Sequence, residues 1–111
     1  MEAKSKILNF LGLARKAGKL SPGGFMTEKT VKGNRACLVL VSEEASDNTK
    51  KSFLNMCTHY KVPIYLFAGK EELGGAIGKE MCTTLAVTDP GFSRQIEKLL
   101  IENGGSEYEG K

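Results

Sequence analysis

Apolar positions along these 111 residues recur with two different periods. Ile7, Phe10, Leu11 and Ala14 fall at helical spacing, which predicts a first helix from about Ala3 to Ala17, stopped at Gly18. A second helix is predicted from Gly23 or Gly24 to Lys32, closed by Gly33 and Asn34. Cys37 to Val41 is short, apolar and rich in valine, the mark of a buried strand. The capping residues Ser46 to Thr49 open a third helix that runs to about Tyr60, with Phe53, Leu54 and Cys57 on its inner face. Val62 to Phe67 reads as a second strand, with Pro63 confined to its first positions. Lys70 to about Gly78 reads as a helix although Gly74 and Gly75 each weaken it by ~1 kcal/mol relative to alanine. Close packing against a neighbour explains such glycines. Thr84 to Thr88 is a third strand, and Asp89 followed by Pro90 caps a final helix carrying Phe92, Ile96, Leu99 and Leu100. Leu20 alone signals a short extra strand around Lys19 to Ser21.

Helices alternating with short apolar strands imply an α/β fold, a three-layer α-β-α sandwich around a small mixed central sheet. Neither a repeat nor a linker divides the chain, so residues 1–102 are expected to form one domain and the polar, glycine-containing residues 103–111 a flexible tail.

Composition narrows the setting. No apolar run approaches the ~20 residues that cross a bilayer, and MEAKSKILNF lacks the apolar core of a signal peptide. Cysteines 37, 57 and 82 form an odd, widely spaced set that suits reduced thiols, and a cytoplasmic location is expected. The net charge of +3 is unevenly distributed. Residues 1–35 hold eight basic and two acidic side chains, whereas the remainder holds eight basic and eleven acidic. Within the basic part, AGKLSPGGFMTEKTVKG (17–33) opens a helix with glycines among lysines. Unpaired amides at a helix start attract phosphate, and a basic face is the footprint of a phosphate-rich partner.

Enzymatic motifs fail on spacing. Gly12 to Leu20 has one residue too many, and a leucine after the lysine, for a phosphate-binding P-loop. Gly74, Gly75 and Gly78 do not follow a strand with dinucleotide-binding spacing. His59 is the only histidine, and on a helix its side chain diverges from that of Cys57 by about 200°. The pairs Glu43-Glu44 and Glu71-Glu72 are adjacent charges, not converging acids, and Cys82 has no base in sequence reach. No catalytic, metal or cofactor site is expected.

Several blocks in one order carry a family resemblance: LGLARKAGKL (11–20), Gly23-Gly24 followed by Lys29, ACLVLV (36–41), the Val-Pro strand (62–67), Lys70 with Leu73-Gly74, and AVTDPG (86–91). Over residues 5 to 100 the chain resembles the kink-turn RNA-binding ribosomal-protein superfamily, and more closely its short bacterial members of the YlxQ type. The resemblance implies a non-enzymatic α-β-α sandwich that grips a kinked RNA loop. It places the amides of Gly23 and Gly24 near phosphates, Lys29 at base edges beside tandem sheared G·A pairs, and Lys70 near an extruded nucleotide. Met81, Cys82 and Thr83 resemble the apolar loop that packs there. Lys19 and Lys32 join as phosphate contacts on charge and proximity alone. Where the family usually has Asn-Glu to bond the sheared purines, this chain has Phe25 and Met26, which offer no strong hydrogen-bonding group. Loss of two such contacts, each worth roughly 1–3 kcal/mol, would weaken kink-turn discrimination and leave phosphate attraction intact. Phe25 is then either a stacking platform or, with Met26, a core anchor of the helix. The expected partner is structured RNA, ribosomal RNA or the ribosome included, bound by a monomer with no membrane or small-molecule substrate involved. The alternative is a protein-interaction module that uses Phe25, Met26 and Met81 as an apolar patch.

Overall fold

A computed structural model of the chain describes residues 2–105 together with Glu107 and Tyr108. The elements run α1 (Glu2–Lys16), β1 (Leu20–Pro22), α2 (Gly24–Lys32), β2 (Leu38–Val41), α3 (Asp47–Tyr60), β3 (Ile64–Leu66), α4 (Lys70–Ala76), β4 (Thr84–Val87) and α5 (Pro90–Glu102). The four strands lie in the order β1-β4-β2-β3. β4 is antiparallel to both neighbours and β2 is parallel to β3, so the sheet is small and mixed as the pattern predicts. β1, foreshadowed only by Leu20, pairs along its length with β4, from Leu20 opposite Val87 to Pro22 opposite Leu85. Proline is tolerated there because it sits at the end of an edge strand.

Side chains on a strand alternate between faces, and here both faces are covered. Leu38, Leu40, Tyr65, Leu85 and Val87 pack with Ile7 and Leu11 of α1, Leu73 of α4, and Ile96 and Leu100 of α5. Val39, Val41, Ile64 and Ala86 pack on the other side with Val31 of α2 and Phe53 and Cys57 of α3. Every residue of β2 and β4 is buried, which is why those strands read as continuous apolar runs. The predicted caps are in place: Ser46 accepts a hydrogen bond from the Thr49 amide, and Asp89 accepts one from Phe92. Each such cap is worth about 1 kcal/mol.

Residues 106 and 109–111 of the expected tail lie outside the described residues. Before them, Asn103 Nδ2 donates to Leu99 O and the Gly105 amide to Leu100 O. The Tyr108 amide donates to Ile64 O at 2.7 Å.

The two costly glycines of α4 differ. A Cβ on Gly74 would lie 2.7 Å from both the Cα and the amide nitrogen of Met81, whereas one on Gly75 would meet nothing within 4 Å. Gly74 therefore lets the chain at residues 80–81 lie directly against α4, and Gly75 serves no such contact. Gly74→Ala should cost about 1–3 kcal/mol through overpacking, and Gly75→Ala should gain about 0.5–1 kcal/mol in helix propensity. Urea denaturation of both variants checks this; equal effects would contradict the close approach.

Candidate nucleic-acid interface

Strand register gathers four connections at one end of the sheet. Pro22 lies opposite Leu85, and Val41 lies opposite both Thr84 and Leu66. The ends of β1, β2 and β3 therefore meet the beginning of β4. Backbone hydrogen bonds hold these connections together. The Gly23 amide donates to Thr84 O at 2.8 Å, Ser42 to Thr83 O at 2.8 Å, and Cys82 to Lys70 O at 2.9 Å. The starts of α2 and α4 are thus fixed on either side of the segment that enters β4.

The helix starts are chemically unequal. α3 and α5 carry the caps described above. At α4, the Gly69 amide donates to Glu72 Oε1 at 2.8 Å and the Lys70 amide to Glu44 Oε1 at 2.9 Å. The Glu72 carboxyl is held below the usual range, first by the Gly69 amide and then by Lys4, whose Nζ lies 2.9 Å away. At α2, Gly23 has no side chain to cap with, and the first turn contains no acid. The Gly23 amide, expected near a phosphate, is instead taken by Thr84 O, and the amides that follow it from Gly24 keep the partial positive charge of an open helix start. Gly23 has φ +91°, a conformation that glycine adopts without strain.

Phe25 and Met26 point outward, 77% and 41% exposed, so neither anchors the core. The buried face of α2 is Thr27, Thr30 and Val31. Ser21 of β1 satisfies both threonine hydroxyls: Thr27 Oγ1 donates to its carbonyl at 3.4 Å and Thr30 Oγ1 to its hydroxyl at 2.8 Å. Gly24 and Lys29 are exposed, and Lys29 follows Phe25 by four residues, on the same face of the helix. At the neighbouring connections, Met81 is 54% exposed, while Lys70 and Thr83 are half-buried.

Three candidates do not join this surface as expected. Lys19 precedes β1 and its carbonyl accepts from Thr88, which places it at the opposite end of the sheet from Gly23. Lys32 ends α2 far from the glycines, and its Nζ is engaged by Glu28 at 2.7 Å, a bond that raises its pKa. Cys82 lies in the right loop, but its thiol turns inward and donates to Thr84 O. Burial pushes the Cys82 thiol up, and that of Cys57 to about 12, which leaves little thiolate for nucleophilic chemistry. Among the described residues, no cluster of three or more His, Cys, Asp or Glu could hold a metal ion, and no helix is long and apolar enough to cross a membrane.

Thr84 is the residue that pattern reading passed over. Its hydroxyl is buried without a partner among the described residues, and it lies 3.9 Å from where a Cβ of Gly24 would be. An unsatisfied buried hydroxyl costs about 1–3 kcal/mol, and this one sits directly beneath the open start of α2. The only sequence signal was a threonine heading an aliphatic strand.

Residues 5–97 match the model of the Ribosomal protein L7Ae/L30e/S12e/Gadd45 family. The chain belongs to that family. It is similar to the RNA-binding protein YlxQ of Bacillus subtilis (strain 168), 42% identical over 90 residues that span 81% of this chain and 90% of that one. A solved structure of a protein with unknown function from Bacillus halodurans C superposes with a TM-score of 0.84 at 36% identity, covering 86% of this chain and 97% of that one. The Giardia lamblia 15.5kD RNA binding protein shares the fold, with a TM-score of 0.74 at 19% identity over 92% and 88% of the two chains. Five helices around this small mixed sheet are thus the fold shared with these two structures.

Because the Thr84 hydroxyl has no partner among the described residues, Thr84→Val should raise the unfolding free energy by about 1 kcal/mol. Calorimetry on the variant checks this, and a loss of stability would mean that the hydroxyl is hydrogen-bonded after all.

Proposed function

We propose that this protein binds structured RNA, ribosomal RNA among the candidates, through the end of the sheet where α2 begins, and that it positions bent RNA without catalysing a reaction. The observation that carries the reading is the contrast between helix starts: α3, α4 and α5 are capped by the protein's own oxygens, and α2 alone among these four is left open, exposed and next to a free-facing lysine. Such a start takes an anion, and a phosphate chain extends from it toward Lys29 and Lys70. The name of the Bacillus subtilis relative supports the same class of ligand.

Kink-turn recognition is the finer part of the proposal. The family resemblance assigns Lys29 to base edges of sheared G·A pairs, but Phe25 and Met26 have no group to pair with those purines. Affinity then rests on phosphate contacts and RNA shape, with reduced discrimination for the kink-turn itself. The α/β unit acts as a monomeric RNA-binding domain in the cytoplasm. A protein partner on Phe25, Met26 and Met81 is the rival reading; the uncapped amides and flanking lysines favour an anionic ligand over an apolar one.

Fluorescence anisotropy with a kink-turn RNA and a plain duplex, across a salt series, tests the proposal. Lys29→Ala and Lys70→Ala should each weaken binding about five- to tenfold and lower the salt slope by about one. Lys19→Ala, at the far end of the sheet, should change affinity less than about twofold. Equal losses at Lys19 and Lys29 would move the surface elsewhere, and absence of binding to either RNA at low salt would end the RNA reading.

A further inference from the structure

We infer that Phe25 is the specificity-determining contact of this chain, its ring stacking on an unpaired nucleobase of an RNA whose backbone lies on the open start of α2. The inference rests on the RNA-binding reading and goes further, to the kind of RNA selected: one that presents a base face, with little regard for which base it is.

The exposure of the ring is the starting point. Phe53 and Phe67 are buried at 7% and 8% exposure, and Phe10 and Phe92 pack against the core, whereas Phe25 is 77% exposed. Phenylalanine is no better than average as a helix former, so propensity does not explain its place in the first turn of α2. Its surroundings do. The ring projects from the turn whose amides are uncapped, and Lys29 follows one turn later on the same face, about 6 Å along the axis. A nucleotide offers a matching pair of groups, an anionic phosphate and a flat apolar base. Met26 beside the ring adds a flexible, polarizable side chain that accommodates different bases, and Met81 brings a second exposed methionine to the same end of the sheet. None of the three side chains can donate to or accept strongly from a base edge, so this face reads base surfaces and not hydrogen-bonding patterns. In a duplex those surfaces are covered by stacking, which leaves loops, bulges and extruded nucleotides as ligands. An apolar protein partner would have to bury the uncapped amides beside the ring without supplying the anion they favour.

The chain contains no tryptophan, so Phe25→Trp introduces a single stacking reporter. The probes are a hairpin with an internal loop, the same hairpin with each unpaired position made abasic in turn, and a fully paired duplex. Wild type should prefer the looped RNA, and Phe25→Ala should reduce the loop-over-duplex preference by about five- to thirtyfold. Phe25→Trp should keep the preference and its fluorescence should be quenched on binding. One abasic position should weaken wild type and leave no further loss for Phe25→Ala. An unchanged preference in Phe25→Ala, an unquenched tryptophan, or full additivity of the abasic and alanine losses would each overturn the inference while RNA binding stands. If wild type binds none of the probes at low salt, the RNA-binding reading falls with it. A nuclease-resistant protein complex that is lost in Phe25→Ala would assign the ring to a protein partner and overturn the inference as well.

Discussion

The hydrogen bonds around the beginning of β4 are the constraint on which the proposed RNA-binding surface depends. Gly23, Ser42 and Lys70 belong to three connections that are distant in sequence, and each is tied to the short segment Cys82–Thr84 through the backbone. That segment leads directly into β4, which lies inside the sheet, antiparallel to a strand on each side and buried along its length. Gly74 fixes the other side of the same segment by letting residues 80–81 lie directly on α4. The surface is therefore anchored on a fully buried inner strand, although the groups it presents are carried by helix starts and loops.

Electrostatic selectivity arises between neighbouring helix starts. The net charge of +3 is too small to define a basic face by itself, and Glu44 and Glu72 stand close to the same end of the sheet. Both carboxylates are spent on the amides of Gly69 and Lys70, so α4 is neutralised from within. α2 receives no such partner. Two helices begin around one loop, one satisfied internally and one open, and the open one keeps the partial positive charge of its unpaired amides.

The layered fold was legible because burial writes itself into periodicity. Leu38 and Leu40 face one layer and Val39 and Val41 the other, and the caps at Ser46 and Asp89 act within three residues of themselves. Features made by distant partners were not legible. Glu44 caps a helix 26 residues away, which no local pattern encodes. β1 has three residues, of which only Leu20 is fully buried, too little for a strand signal. Lys19 and Lys32 are close to the glycines in sequence, yet a strand and a helix carry them away, while Lys70 is far in sequence and folds back. Cys82 sits in the expected loop with its thiol facing inward because its sulfur hydrogen-bonds Thr84 O.

The pattern of α2 is inverted relative to that of the other helices. Its threonines are buried, and its phenylalanine and its one methionine face solvent. Ser21 makes this possible by satisfying the hydroxyls of Thr27 and Thr30, so the polar side chains enter the interior at little cost. The rotation that hides the threonines is the one that turns Phe25 and Met26 outward, next to the uncapped amides and above the unpartnered hydroxyl of Thr84. Three departures from local stability rules thus meet at the first turn of α2: an exposed aromatic ring, an open helix start and, beneath it in β4, a buried hydroxyl with no partner among the described residues. Stability alone would favour removing each of them, and their convergence on one spot follows if that turn is shaped for a ligand.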